Sequence, residues 1–150
     1  GGNDTFDLDF SNIDNFTIDG GTDTSGDTVN LSGDTGANIS SDTNFGNANS
    51  FDNIEELDFT SLSLNVGSDT TDGGTNAEFE LTGDLISNWT DGGNSLRLKL
   101  DSTDASRLEF TDKTGTKHGG DDSDTTALTS GTSYTLDDNG TDVTLIIDIQ

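Results

Sequence analysis

The chain has 150 residues, the length of one domain or module, and 27% of them are apolar, well below the roughly 45–50% typical of globular proteins. Its formal net charge of −25 excludes nucleic acids and anionic membranes as partners, because so acidic a surface repels both. The apolar residues nevertheless cluster in short alternating runs, which disordered tails lack. The fold therefore needs further stabilisation, and bound divalent cations would supply it while removing the repulsion among the acids.

The acids are unevenly distributed in both type and position. Of the 30 acids, 25 are Asp, which favours turns and short-range coordination, and five are Glu. All five basic residues lie between Arg97 and Lys117, so residues 1–96 contain 19 acids and no base. Ion pairing within that segment cannot neutralise it, which favours a bound cation as the counter-charge.

Several residue types are missing from the sequence. Cysteine is absent, which excludes a disulfide framework and a thiolate metal site. No apolar run approaches the ~20 residues of a membrane-spanning helix, so no membrane insertion is expected. Methionine is absent even at the first position, which indicates a fragment of a longer protein.

The first predicted elements are short strands separated by an acidic turn. Residues 6–10 alternate between apolar and acidic, as in a half-buried strand. Two further strands are predicted at 16–19 and 29–31, on either side of a Gly/Asp/Thr turn that begins at Gly20. Strands spaced by roughly ten to twelve residues fit either a coil-by-coil β-structure or a sandwich of short strands.

The middle of the chain is predicted to contain a long loop and a long strand. Residues 32–50 are mostly small and polar and are predicted to form the loop. The alternating run 54–66 follows, with a slip of apolar phase at Thr60-Ser61 that predicts a bulge or a break. An acidic turn at 69–74 and a strand at 77–81 come next.

One short helix is predicted at residues 84–89. Thr82 or Asp84 can cap its N-terminus, and its apolar residues share one face. Trp89 is interpreted as a core residue on that face, in preference to a platform for a sugar ring.

A charge pair is predicted across two strands that follow the helix. The alternating run 96–100 is expected to pair antiparallel with 108–110. That pairing would bring Arg97 or Lys99 opposite Glu109.

The C-terminal part is predicted to be a loop followed by a hairpin. Residues 113–131 are polar and are predicted to form the loop. Asn139-Gly140 stands between the alternating runs 134–136 and 143–148, which is the signature of a type I′ hairpin. This is the strongest pairing signal in the chain.

Two stretches resemble the repeats-in-toxin nonapeptide Gly-Gly-x-Gly-x-Asp-x-U-x, in which U is a large apolar residue. In that family, the Gly-Asp turns of successive parallel coils bind Ca²⁺ between them, and U fills the core of a β-roll. The second stretch differs from the motif by two extra residues and by Asp23 in place of a glycine. The matching residues are Gly2, Asp4 and Phe6 in the first stretch, and Gly20, Gly21, Gly26, Asp27 and Val29 in the second.

Most of residues 1–148 is similar to a module of giant type I-secreted bacterial adhesins. Residues 51–60 resemble its "xIExLDLT" strand, and a short helix, a Leu-x-Leu strand at 96–98 and a closing pair of strands follow in the same order. The resemblance implies an extracellular, Ca²⁺-loaded module of a cell-surface or biofilm protein. It also implies as partners the neighbouring modules of the same chain and glycans or a host or abiotic surface.

Calcium ligands are expected among the aspartates of the acidic turns. Calcium takes roughly six to eight oxygens, and turns that contain Asp-x-Asp and Gly supply both carboxylate and carbonyl oxygens. The alternative is that these residues only form turns and keep the chain soluble. The candidate ligands are Asp4, Asp7, Asp9, Asp19, Asp23, Asp27, Asp69, Asp72, Asp121, Asp122, Asp124, Asp137, Asp138 and Asp142.

No enzymatic activity is predicted. His118 is the only histidine, it is expected to be exposed in a loop, and no motif marks a serine and an aspartate beside it. With 30 acids, carboxylate pairs suitable for glycoside hydrolysis occur by number alone, and the aromatic residues of a sugar cleft are few.

The sequence predicts an all-β fold, either β-roll or β-solenoid-like or a β-sandwich, with one short helix near 84–89. Residues 1–150 are expected to form a single extracellular module, in which a toxin-repeat-like start at 1–33 packs on a β domain at 51–150. Its predicted function is that of a calcium-stabilised structural or adhesive module of a secreted or cell-surface bacterial adhesin. The alternative is a calcium-dependent lectin-like domain, with an open Ca²⁺ in the loop 119–124 or 69–74.

Overall fold

Short β-strands make up most of the regular structure in a computed structural model that describes residues 2–9, 16–22, 26–34, 51–63, 79–90, 94–120 and 124–150. This confirms the mainly-β prediction. One α-helix (α1, Gly83–Trp89) and one 3₁₀ turn (Asp104–Ser106) complete the described elements. The strands are β1 Thr5–Asp9, β2 Ile18–Asp19, β3 Thr28–Asp34, β4 Phe51–Asp52, β5 Glu56–Ser63, β6 Phe79–Glu80, β7 Ser95–Leu100, β8 Leu108–Thr111, β9 Lys117–Gly119, β10 Thr132–Asp138 and β11 Thr141–Ile149.

The largest sheet has six strands in the order β1-β3-β5-β7-β11-β10. The first five are parallel to one another and are arranged in the order of the chain, and only β10 is antiparallel. Val29 lies between Phe6 and Leu57, and Leu98 lies between Leu57 and Ile147. A continuous row of apolar side chains therefore crosses five strands on the inner face of the sheet.

Two smaller sheets complete the core. Strands β2 and β4 are parallel, and so are β6 and β8, whereas β9 is antiparallel to β8. All three sheets and the helix contribute to one buried apolar cluster, and no large apolar side chain of the described residues is exposed. The largest fully buried side chains are Trp89, Phe51, Phe59, Phe79 and Phe110.

The helix confirms the local signals of the sequence. The Thr82 hydroxyl caps the N-terminus by accepting the N–H of Leu85 at 3.2 Å. Trp89 is completely buried, and its ring meets that of Phe51 edge-on, with centroids 5.4 Å apart. Trp89 is therefore a core residue, as predicted. No helix of the described ranges is long and apolar enough to cross a membrane.

The predicted irregularity in the long strand is confirmed as a bulge. The register between β3 and β5 shifts between Asn30, which faces Asp58, and Ser32, which faces Ser61. Two β5 residues therefore oppose one β3 residue, and Thr60 and Ser61 are both exposed.

The predicted pairing of 96–100 with 108–110 is wrong. Strand β7 lies between β5 and β11, so it has no free edge, and β8 pairs with β6 and β9 instead. Glu109 consequently faces Lys117, 3.5 Å away, and not Arg97 or Lys99. The apolar row that β7 shares with its parallel neighbours decides this arrangement. The free energy gained by burying those side chains exceeds the free energy that one exposed charge pair can contribute.

The C-terminal hairpin has the predicted two-residue turn. Asn139 and Gly140 have φ values of 49° and 95°, as a type I′ turn requires, and they join β10 to β11. The predicted loop 113–131 is partly wrong, because 117–119 form β9.

Other sequence predictions are only partly covered by the structure. Strand β3 continues through residues 32–34, which were predicted to begin a loop, and the remainder of that loop lies outside the described residues. The turn 69–74, Phe10, the run 64–66 and the first half of the strand 77–81 lie outside them as well.

Candidate cation site

Asp27 is completely buried at the start of β3, where it connects three segments of the chain. Its Oδ1 accepts the N–H of Asp4 at 2.6 Å, and its own N–H donates to Glu55 Oε2 at 2.9 Å. Its carbonyl oxygen accepts the N–H groups of Glu55 and Glu56. Asp27 thus holds together the entries to β1, β3 and β5.

The second carboxylate oxygen of Asp27 has no hydrogen-bond partner, although it is buried. It lies against Gly20, where a Cβ would come within 2.4 Å of Asp27 Oδ2 and 2.2 Å of the Asn53 carbonyl oxygen. A carboxylate oxygen and a carbonyl oxygen therefore converge over the one residue type that leaves room for both. A buried carboxylate without full compensation is costly, so this pair of oxygens is suited to a cation.

The segment beside Asp27 is held in place by Asp19. Its Oδ1 accepts the N–H of Gly21 at 2.8 Å and the side-chain amide of Asn53 at 3.1 Å. These two hydrogen bonds lower the pKa of the Asp19 carboxyl and favour its charged form. Gly20 also donates its N–H to the carbonyl of Asp52 at 2.9 Å. The turn at 19–21 is thereby joined to 52–53, which places Asn53 above Gly20.

The basic partners of the described ion pairs all lie between Arg97 and His118. Lys99 contacts Glu56 at 2.7 Å and Asp58 at 3.9 Å, and Arg97 lies between Glu56 and Asp148. The bond to Glu56 raises the pKa of Lys99. On the outer face of the sheet, the bases of β7 thus neutralise acids of the strands on both sides. The acids that Arg97 and Lys99 contact are Glu56, Asp58 and Asp148.

The predicted calcium ligands are spread over several places in the structure. Asp4 and Asp27 meet through the hydrogen bond above, and Asp7 and Asp9 lie on β1. The others described are Asp124 near Lys117, Asp137 and Asp138 on β10, and Asp142, which pairs with Lys113. Asp23, Asp69, Asp72, Asp121 and Asp122 lie outside the described residues.

No group of three or more histidine or acidic side chains is placed to hold a metal ion within the described ranges. A cation at Asp27 would therefore take its further oxygens from backbone carbonyls such as that of Asn53 and from water. Calcium accepts such mixed, flexible coordination, whereas Mg²⁺ demands a near-octahedral set.

His118 is buried, in contrast to the predicted exposure. It lies on β9 opposite Phe110, and its ring packs against Phe110 and Tyr134 at centroid distances of 5.3 and 4.6 Å. Its Nε2 is 2.8 Å from Asp112 Oδ2, and its Nδ1 is buried without a partner. Sequence reasoning missed this cluster, because β9 is too short for an alternating pattern to mark it.

Asp112 organises the turn that leads to His118. Its Oδ1 accepts the hydroxyl and the N–H of Thr114 and the N–H of Thr116. The Thr114 hydroxyl, with His118 and the backbone donors, holds the pKa of Asp112 far below its usual range. The carboxylate is therefore charged throughout the neutral and mildly acidic range.

We expect Asp112→Asn to reduce stability at neutral pH and to weaken the acid sensitivity of the fold. Since the folded pKa is lowered, ionised Asp112 stabilises the fold above its unfolded pKa of about 3.9, and this stability is lost as the pH falls through the folded value. Urea unfolding at a series of pH values below about 5 measures the effect. An unchanged pH slope in the variant would contradict this role.

Around Asp27, one buried carboxylate oxygen and one backbone carbonyl oxygen lie against Gly20, and hydrogen bonds hold the neighbouring segments in place. The cluster around His118 is a packed polar group that positions a turn. Comparison with protein-family models, with curated proteins and with solved structures finds no match for this chain.

Proposed function

We propose that this chain is a calcium-stabilised structural or adhesive module of a secreted or cell-surface bacterial adhesin, without enzymatic activity. The observation that carries the proposal is the buried Asp27 oxygen, which lacks a hydrogen-bond partner and lies, like the Asn53 carbonyl oxygen, against Gly20. Ca²⁺ at this point would compensate a buried negative charge that links three segments of the chain. Neighbouring modules of the same chain and glycans or a surface are the proposed partners.

The charge distribution supports the same proposal. Residues 1–96 have 19 acids and no base. Arg97 and Lys99 pair with Glu56 and Asp58 among these acids, and cations from solution are the proposed further source of counter-charge. A site with few protein carboxylates suits the weak calcium affinities of extracellular modules, with Kd on the order of 10⁻⁴–10⁻³ M. Binding at such concentrations stabilises the folded state, because the ligands are not assembled in the unfolded chain.

For the architecture we propose a β-solenoid-like stack of irregular coils. Five strands of one sheet are parallel and follow chain order. The two smaller sheets each contain a parallel pair, β2 with β4 and β6 with β8, whose strands lie between those five strands along the chain. Stacked coils produce this pattern, whereas the strands of a β-sandwich are mainly antiparallel. Residues 1–34 would then be the first coils of the same module, since β3 lies between β1 and β5.

The lectin-like alternative places an open Ca²⁺ in the loop 119–124 or 69–74. Of these two loops, the described residues are Gly119, Gly120 and Asp124. Asp124 lies 3.9 Å from Lys117, so a base already stands beside its carboxylate. The structural module is therefore the favoured function.

Calcium is expected to raise the melting temperature of the chain. At a free concentration of about 100 times Kd, one site adds about 2.7 kcal/mol to the free energy of unfolding. For a chain of this size, that corresponds to roughly 5–10 °C. Melting curves followed by circular dichroism with calcium and with a chelator provide the test, with magnesium as the control for general charge screening. Superimposable curves with calcium and with chelator would refute the proposal.

A further inference from the structure

An open groove of about 310 Å³, lined by Leu31 and by six polar side chains, crosses the outer face of the large sheet over β1, β3 and β5. It lies on the opposite side of the sheet from the apolar row, and Asp27 is not part of it. Its polar side chains are Asp7, Asn30, Ser32, Asp58, Thr60 and Ser61.

The bulge in β5 shapes this groove. Because β5 has one residue more than β3 at this point, Thr60 and Ser61 both face solvent and the outer rows of side chains move apart. Thr60 donates its N–H and its hydroxyl to Asp58 Oδ1, at 3.0 and 2.6 Å. The carboxylate is thus held at the edge of the groove by the same bulge that opens it.

The other polar groups are also positioned by contacts within the sheet. The side-chain amide of Asn30 donates to Asp7 Oδ1 at 2.8 Å, and Lys99 Nζ lies 3.9 Å from Asp58 Oδ2. Asn30 thereby presents its side-chain carbonyl, and Asp7 its second oxygen, as acceptors. With the hydroxyls of the two serines, the groove offers a dense set of acceptors on a rigid strand face.

Such a surface selects a ligand rich in hydroxyl donors. Hydrogen bonds from hydroxyl groups to carboxylates are short and strong, and the acids repel anionic ligands. A bare calcium ion is the competing ligand for these acceptors, and the titration below distinguishes it from a glycan. The volume lies at the lower end of the range for small-molecule sites, about 300–1,000 Å³, which suits a mono- or disaccharide unit.

We propose that this groove binds one unit of a neutral glycan. The proposal rests on the proposed adhesive function, for which it names a site and a ligand class, and it does not depend on a cation at Asp27. Specificity would come from Asp7, Asn30 and Asp58, which accept sugar hydroxyls, and from Ser61 at the wall.

The test is a glycan array of neutral, sialylated and sulfated oligosaccharides probed with the full chain in calcium buffer. We expect binding to neutral glycans and exclusion of the anionic ones. The best neutral glycan is then titrated into ¹⁵N-labelled protein, where the amide signals of Asn30 and Thr60 should shift. If no neutral glycan binds, or if calcium alone shifts these signals and no glycan does, the proposal is wrong.

Two variants locate the site, and a third serves as the control. Ser61→Arg fills the groove and Asn30→Ala removes one acceptor, and each should weaken glycan binding by about tenfold or more. Ser133→Arg makes the same change on an exposed serine of β10 at the far edge of the sheet, and should bind as the wild type does. Equal binding by Ser61→Arg and wild type, with Asn30→Ala also unaffected, would overturn the assignment. Calcium-dependent melting is measured separately, so this proposal and the calcium proposal can fail independently.

Discussion

Gly119→Ala is expected to destabilise the fold by about 2–5 kcal/mol, the largest effect of any substitution considered for this chain. An alanine Cβ there would lie 1.9 Å from the carbonyl oxygen of Leu108, and the residue has a φ of +81°. Neither the close contact nor the strained φ can be relieved by moving a side chain, because both involve backbone atoms. The loss would appear as a lower midpoint in urea or thermal unfolding.

Gly115→Ala is the matched control for this substitution. Gly115 has a similar φ of +85°, but a Cβ there would meet nothing within 4 Å. We expect it to cost only the conformational strain, about 1–2 kcal/mol. Equal losses in the two variants would show that the close approach of β9 to Leu108 does not exist in solution.

The consequence of Gly119→Ala extends to the polar cluster on the same strand. His118 precedes Gly119, and its bond to Asp112 depends on the register of β9 against β8. Displacing β9 should therefore separate His118 from Asp112 as well. The variant should lose part of the acid sensitivity assigned to Asp112, in addition to its overall stability.

Asp27→Asn is expected to be more stable than the wild type without calcium and less stable than the wild type with calcium. Without calcium, the variant removes a buried charge, keeps an acceptor for the Asp4 N–H and brings an amide donor near the Asn53 carbonyl. It should then be more stable than the wild type by about 1–2 kcal/mol. With calcium, it should lose the binding contribution of about 2.7 kcal/mol and become the less stable of the two.

Asp52→Asn controls for the loss of one negative charge near the same place. Its side chain is exposed on β4, and only its carbonyl takes part in the contact with Gly20. We expect the calcium-induced rise in melting temperature to be retained in this variant. If the calcium-induced rise in melting temperature is reduced equally in Asp27→Asn and Asp52→Asn, the calcium effect is general screening of the acids.

Local sequence signals predicted the elements that depend on neighbouring residues. The cap at Thr82, the turn at Asn139-Gly140 and the bulge at Thr60-Ser61 each follow from conformational preferences within a few residues. The pairing of β8 was missed because parallel pairing joins residues far apart in sequence, and no local pattern distinguishes β6 from β7 as its partner.

The candidate site was predicted only in part. Asp27 is one of fourteen aspartates that the sequence nominates, and the sequence does not distinguish it from exposed ones such as Asp7 or Asp9. Its surroundings depend on two other residues. Gly20 has no side chain to occupy the space beside Asp27 Oδ2, and the backbone carbonyl of Asn53 lies against the same glycine. Burial of Asp27 between three strand entries results from the pairing of β1, β3 and β5, which join residues far apart in sequence, and composition alone cannot reveal it.

The most direct test of the calcium account is a calorimetric titration that counts the ions bound by the wild type and by Asp27→Asn. The account predicts saturable calcium binding to the wild type, with Kd on the order of 10⁻⁴–10⁻³ M, and one fewer ion bound by the variant. Absence of saturable binding to the wild type, or the same number of ions bound by both proteins, would contradict it.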